Sequence, residues 1–77
     1  MVQVAIHGAA GRMGQSIASV LSDDPEANLV AAMDSESSGC IGQDMGVLTG
    51  RPPSGVKITT DVEEFLGNVE VVIDFSI

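Results

Sequence analysis

The stretch VAIHGAAGRMG, from Val4 to Gly14, decides the fold of this 77-residue chain. Its apolar start leads into three glycines spaced three apart, Gly8, Gly11 and Gly14. An apolar strand that stops at a glycine turn and starts a helix directs backbone N–H groups and a helix N-terminus at one spot. We therefore predict a strand–turn–helix unit that can bind a diphosphate.

Each residue of the turn has an expected role in that site. Gly8 allows the tight turn after the strand, Gly11 leaves space where the diphosphate approaches, and Gly14 lets the helix pack closely on the strand. Ala9 and Ala10 lie between the first two glycines and are expected to present backbone N–H groups to the ligand. The alternative is an ordinary strand-to-helix turn.

An acidic residue follows at the end of a second apolar run, NLVAAMD, whose last residue is Asp34, twenty positions after Gly14. A carboxylate there can accept hydrogen bonds from the ribose hydroxyls of an adenine dinucleotide, although it could instead cap the following loop. Turn, helix and acid together predict a nicotinamide-type cofactor site. Asp34 disfavours the 2′-phosphate of NADP by repulsion, which Arg51 and Lys57 could offset if the loop folds over the cofactor.

Two further residues of the first helical turn belong to the predicted cofactor site. Arg12 is placed to pair with a phosphate through its guanidinium group, unless it is a solvated surface arginine. Met13 begins an apolar stripe and is expected to serve mainly in core packing. The rest of that stripe is formed by Ile17, Val20 and Leu21.

The whole chain alternates strands with helical or loop segments, which predicts an α/β fold of the Rossmann type with a parallel sheet. The predicted elements are strand Val2–Ile6, helix Arg12–Leu21, strand Leu29–Met33, loop Ser35–Gly55, strand Val56–Thr60, short helix Asp61–Gly67 and strand Val69–Phe75. The doubly wound order places the first three strands as 3-2-1 and the fourth on the other side of strand 1. A structureless loop as long as the predicted one is unusual and often functional or mobile.

The fourth strand ends at the predicted ligand crevice, beside the first. Asp74, Phe75 and Ser76 are expected to touch the nicotinamide end of the cofactor through backbone or side chain, with an ordinary strand end as the alternative. His7 ends the first strand without a visible acid partner or nucleophile, so we expect a packed or hydrogen-bonded histidine. We assign no catalytic residue and no metal ligand.

Composition excludes several classes of function. Eleven acidic residues against three basic ones give a formal net charge of -8, which opposes binding to nucleic acid or to anionic membranes. The single cysteine, Cys40, rules out an internal disulfide and a cysteine zinc cluster. The start of the chain lacks a secretory signal pattern, so we expect a cytoplasmic protein.

The fourth strand also bears on domain organisation. Its apolar run at Val71, Val72 and Ile73 requires cover on both faces of the sheet. We therefore expect residues 1–77 to be the N-terminal part of a larger NAD(P)-binding domain, with the catalytic domain outside this chain. The alternative is a four-stranded unit that hides this strand by self-association.

Three segments in order resemble the 4-hydroxy-tetrahydrodipicolinate reductase family, also called dihydrodipicolinate reductase. They are VAIHGAAGRMG with its Arg-Met-Gly, the acid Asp34, and VVIDFS near the end, which matches the family's Asp-Phe-Thr or Asp-Phe-Ser. The resemblance implies reduction of a cyclic dicarboxylate by NADH or NADPH in the diaminopimelate route to lysine, in the bacterial cytoplasm or a plastid. It also implies a homo-tetramer, with the family's catalytic histidine and lysine beyond Ile77, so that this chain alone is expected to be inactive.

In relatives that accept NADPH readily, an arginine often follows the acid. Ser35 takes that place here, which favours NADH. Two other classes stay open at this point: another Rossmann oxidoreductase, such as an amino-acid or sugar dehydrogenase, and a non-enzymatic dinucleotide-binding module.

Overall fold

The computed structural model describes residues 2–61, 63, 67 and 69–75 of the chain. In that part, the strands form one parallel sheet with helices packed on it, which confirms the predicted α/β class. The elements are β1 (Val2–His7), α1 (Arg12–Ser22), β2 (Ala27–Met33), a 3₁₀ turn (Glu36–Ser38), α2 (Met45–Leu48), β3 (Ile58–Thr59) and β4 (Val71–Asp74).

The strand order β3-β2-β1-β4 is the predicted one. β1 pairs in parallel with both β2 and β4, and β2 pairs in parallel with β3. The chain therefore builds outward from β1 to one side and then returns to its other side with β4. In sheets of this kind, the crevice at the carboxyl ends of the two strands that flank the reversal is where ligands bind.

The core between the sheet and α1 combines three alanines with three larger apolar side chains. Its buried members are Ile6, Ala9, Ala18, Ala32, Met45 and Ile58. The predicted stripe of α1 is wrong at Met13 and Val20, whose exposed fractions are 58% and 64%. Gly14 and Ala18 are buried instead, because small residues let the helix backbone approach the sheet and so decide which face is inward. Core packing is therefore not the role of Met13.

The segment Ser35–Gly55 is not the structureless loop that its composition predicts. It contains the 3₁₀ turn and α2, and Asp44 caps α2 because its side chain accepts from the N–H groups of Gly46 and Val47. The same segment covers one edge of the sheet, since the Gly42 N–H donates to the Ile58 carbonyl and the Ile58 N–H donates to the Gln43 carbonyl, at 2.8 and 3.0 Å. A four-residue helix is too short to show a periodicity, which is why the pattern missed it.

The third and fourth strands are shorter than predicted, because only Ile58–Thr59 and Val71–Asp74 pair in the sheet. At the β4 edge of the described structure, Val71 and Val72 are each 44% exposed. The predicted helix Asp61–Gly67 falls mostly outside the described residues. None of the described helices combines the length and the hydropathy needed to cross a membrane.

Candidate functional site

The glycine turn joins β1 to α1 at the carboxyl edge of the sheet. Gly8 has a φ of 84°, in the left-handed region that a side chain disfavours, so the tight turn requires glycine there. Gly14 packs directly on the turn: a Cβ on it would lie 2.4 Å from the Gly8 carbonyl oxygen and 2.8 Å from Ala9 Cα. The predicted conformational roles of Gly8 and Gly14 are thus confirmed.

Gly11 differs from these two glycines because the protein itself leaves room at its position. A Cβ on Gly11 would meet only the Gly8 carbonyl oxygen, at 3.4 Å, which is an ordinary contact. Gly11 is also exposed. The open space in front of it is consistent with the predicted approach of a diphosphate.

The N–H groups of the turn do not all face a ligand, contrary to the simple expectation. Those of Gly8 and Ala9 both donate to the Met33 carbonyl, at 2.8 and 3.1 Å, and that of Gly11 donates to the Gly8 carbonyl at 3.2 Å. The Ala10 N–H donates to the carboxylate of Asp34. The first half of the turn is therefore tied to the end of β2, and these bonds fix its shape.

The N–H groups that remain belong to the first turn of α1. Among the described residues, no acceptor contacts the N–H groups of Arg12, Met13 and Gly14, and no side chain caps the helix. The first intrahelical bond runs from the Gln15 N–H to the Gly11 carbonyl. Three N–H groups and the positive end of the helix dipole thus form the part of this site that can accept an anion.

Asp34 lies beside the glycine turn, directly after β2. One of its carboxylate oxygens accepts from the Ala10 N–H at 2.8 Å and the other accepts from the Ser35 N–H at 2.7 Å. Each carboxylate oxygen can accept a second bond, so both keep capacity for a ligand hydroxyl. The bond to Ala10 holds the carboxylate next to the space in front of the helix, where a ribose attached to a bound diphosphate would lie.

The three basic residues occupy different places around the sheet. Arg12 is exposed at the start of α1 and has no partner among the described residues. Arg51 donates to both carboxylate oxygens of Asp23, at 3.0 and 3.1 Å, just past the opposite end of α1. Lys57 precedes β3 at its amino end, whereas Asp34 follows the carboxyl end of β2. Only Arg12 is therefore next to the predicted anion site.

The ends of β1 and β4 form the other half of the crevice. His7 Nδ1 lies 3.4 Å from a carboxylate oxygen of Asp74, so His7 does have the acid partner that the sequence did not reveal. The Phe75 N–H donates to the His7 carbonyl at 2.8 Å, and the Phe75 side chain packs against the core. Ser76 lies outside the described residues, and its role stays a prediction, as does that of Phe75.

The carboxylate of Asp44 organises the segment after β2, and the sequence pattern did not indicate this role. The Asp44 carboxylate accepts from the N–H groups of Ser54, Gly55, Val47 and Gly46. The Ser54 N–H contributes most to holding the pKa of Asp44 at about 2, below its ordinary 3.8, against a smaller opposing effect of desolvation. An N-cap aspartate ahead of a short apolar run was the signal that could have indicated it.

The described residues contain no cluster of three or more His, Cys, Asp or Glu side chains that could hold a metal ion. The polar groups at the carboxyl edge of the sheet are of two kinds. They are the N–H donors and one arginine at the helix start, and the flanking carboxylates of Asp34 and Asp74.

Comparison with known proteins adds an independent observation. The family model described as dihydrodipicolinate reductase, N-terminus, matches residues 2–77. Similar curated proteins include the 4-hydroxy-tetrahydrodipicolinate reductases of Rhodopseudomonas palustris (33% identical over 76 residues), Burkholderia multivorans (37% over 75) and Rhodopirellula baltica (38% over 78). These alignments cover 97–99% of this chain, and the chain spans 28% of the length of each of these relatives.

Proposed function

Since this chain belongs to the dihydrodipicolinate reductase family, whose N-terminal model it matches over residues 2–77, we propose that it holds NAD(P)H for a reductase. The observation that carries the proposal is the pairing of the first turn of α1 with Asp34. Three N–H groups without an acceptor lie next to a carboxylate that is fixed by the Ala10 N–H. That is a donor set for a diphosphate beside an acceptor for ribose hydroxyls.

Each part of this site has a separate task in holding the cofactor. The N–H groups of Arg12, Met13 and Gly14 bind the diphosphate, and the Arg12 guanidinium neutralises part of its charge. Asp34 accepts from the adenosine ribose hydroxyls. A bound nicotinamide would supply a hydride, and the chain's own residues would hold the diphosphate and the adenosine ribose of the cofactor.

NADH is the proposed preferred form of the cofactor. Asp34 places negative charge where the 2′-phosphate of NADPH would lie, and the residues that follow it, Ser35 and the exposed Glu36, supply no base. Arg51, which could have offset this charge, is paired with Asp23 at the far end of α1. An 11-residue helix separates the two places by roughly 15 Å.

The activity of the whole protein follows as a proposal from the names of its relatives. We propose that the whole protein is a 4-hydroxy-tetrahydrodipicolinate reductase. Its substrate would be the cyclic dicarboxylate 4-hydroxy-tetrahydrodipicolinate, which would accept a hydride from NAD(P)H in lysine and diaminopimelate biosynthesis. A cytoplasmic homo-tetramer is the proposed form. The chain described here would supply the cofactor site, and the catalytic residues would come from outside residues 1–77.

Calorimetric titration of NADH and NADPH into the full-length protein tests the cofactor proposal. We expect NADH to bind more tightly than NADPH. Asp34→Ala should reduce the binding free energy of NADH by about 1–3 kcal/mol, the range for a hydrogen bond to a charged group. Ser35→Arg should shift the preference toward NADPH, because it adds a base where the 2′-phosphate would lie. Arg51→Ala is the matched control and should leave the ratio of the two affinities unchanged.

Two results would count against this account. Equal NADH affinity in wild type and Asp34→Ala would show that this carboxylate does not hold the ribose. Absence of binding by either dinucleotide would remove the cofactor site altogether.

A further inference from the structure

A histidine and an aspartate lie side by side at the carboxyl edge of the sheet, on the β4 side of the glycine turn. His7 ends β1 and Asp74 ends β4, and the two residues are register partners in the sheet. Their side chains meet at 3.4 Å between His7 Nδ1 and Asp74 Oδ1. Their position at the point where the strand order reverses is the place where ligands bind in sheets of this type.

The pair lies on the face of the sheet opposite α1. Side chains alternate along a strand, and the preceding residue Ile6 is buried in the core beneath α1. The following residue Phe75 also packs against that core, so His7 and Asp74 point to the other face. On that face the neighbour of His7 from β2 is Met33, its register partner, which carries no charge.

Unlike an ion pair in a protein core, the His7–Asp74 pair is exposed to solvent. The side chain of Asp74 is 58% exposed and that of His7 is 30% exposed. An exposed pair of this kind contributes little to folding stability. An exposed carboxylate at the carboxyl edge of the sheet does, however, have the chemistry that Asp34 has on the other side of the turn, because it can accept hydrogen bonds from the two hydroxyls of a ribose.

A dinucleotide has two riboses, one on each side of its diphosphate. Asp34 stands at the end of β2 and Asp74 at the end of β4, with β1 and its glycine turn between them. The two carboxylates are separated by two strand spacings, roughly 10 Å across the sheet. A diphosphate on the first turn of α1 would thus have one carboxylate on the side of each ribose.

We propose that Asp74 binds the hydroxyls of the second ribose, the one attached to nicotinamide, and that His7 positions the Asp74 carboxylate for this contact. The inference rests on the proposed function, since it requires a dinucleotide on the turn. Asp74 is the binding residue here, and His7 is a positioning residue.

A ligand series applied to the full-length protein tests the proposal. ADP carries only the first ribose, ADP-ribose carries both, and NADH adds the nicotinamide. We expect Asp74→Ala to weaken the binding of ADP-ribose and of NADH by about tenfold or more, as for a lost hydrogen bond to a charged group. The affinity for ADP should stay within about twofold of wild type. His7→Ala should weaken the binding of ADP-ribose and of NADH by a smaller factor, and His7→Asn, which restores a donor, should recover part of the loss.

A matched control removes the same charge elsewhere. Glu26→Ala eliminates an exposed carboxylate at the amino end of β2, far from the carboxyl edge, and should leave all three affinities unchanged. Loss of ADP binding in Asp74→Ala to the same extent as NADH would overturn the proposal, because it would indicate damage to the turn. Weaker binding of NADH with unchanged binding of ADP-ribose would also overturn the proposal, because that result would place the Asp74 contact on the nicotinamide ring.

Failure of this inference can be told from failure of the proposed function. If wild type binds NADH and ADP-ribose but Asp74→Ala binds them equally well, the second-ribose contact is wrong while the cofactor site stands. If wild type binds none of the three ligands, the cofactor site itself is wrong.

Discussion

Single glycines at the turn determine whether α1 can approach β1. Gly14 is buried against the backbone of Gly8 and Ala9, whereas Gly11 faces open space. The two glycines therefore differ in their surroundings: Gly14 allows close packing of the helix, and Gly11 leaves space in front of the turn. The Ala10 N–H has a further role, because it ties the turn to Asp34.

Gly14→Ala should destabilise the protein by about 1–3 kcal/mol, the usual cost of forcing extra volume into a packed site. The added Cβ would lie 2.4 Å from a backbone oxygen that cannot move away without shifting the turn. This loss exceeds the gain of up to about 1 kcal/mol that alanine brings to a helix. Chemical denaturation of the full-length protein measures the difference.

Gly11→Ala is the matched control for that substitution. Its Cβ meets the Gly8 oxygen at 3.4 Å, so we expect a change in unfolding free energy below about 1 kcal/mol, including the loss of glycine at the N-cap. The same variant should bind NADH more weakly, because the methyl group enters the space expected for the diphosphate. Equal stability losses in the two variants would contradict the division of roles between these glycines.

At the scale of elements, the sequence predicts the sheet better than the segment between β2 and β3. The apolar runs and the glycine turn sufficed for the order β3-β2-β1-β4, because crossover handedness and strand adjacency leave few alternatives. The prediction of a structureless loop at Ser35–Gly55 was wrong. The ordered structure of this segment depends on one carboxylate, which accepts hydrogen bonds from N–H groups up to eleven positions away in the chain. The contact of His7 with Asp74 could not be predicted either, since it depends on the register between strands 67 residues apart in the chain.

Asp44 should make the segment between β2 and β3 sensitive to acid. Its pKa is held at about 2 in the folded protein against 3.8 ordinarily. A lowered pKa means that the ionised carboxylate stabilises the fold at pH values above about 4 and that this contribution is lost as the pH falls toward 2. Asp44→Asn, which does not titrate, should lack this pH dependence.

Hydrogen–deuterium exchange and thermal unfolding at pH 7, 4 and 2.5 measure this effect. We expect Asp44→Asn to exchange faster at the Gly46, Ser54 and Gly55 amides at pH 7, and the stability difference from wild type to shrink at pH 2.5. A difference that stays constant across this range would show that the charge on Asp44 does not organise the segment.

At the scale of the whole molecule, the site must bind an anion in a chain with eleven acidic and three basic residues. Arg51 is engaged with Asp23, and Lys57 lies away from the turn, so long-range attraction is not available. Binding must then depend on short-range donors at the start of α1, where fixed N–H groups act over hydrogen-bond distances. Family membership supports the use of a dinucleotide, and the local geometry indicates which residues could hold it.

Hydrogen–deuterium exchange at the amides of Arg12, Met13 and Gly14, with and without saturating NADH, tests this central claim most directly. These three N–H groups have no acceptor among the described residues, so they should exchange fast in the free protein and become protected when the diphosphate binds. The amides of Gly8 and Ala9, already bonded to Met33, should change much less. Unchanged exchange at residues 12–14 under saturating NADH would contradict the account and place the cofactor elsewhere.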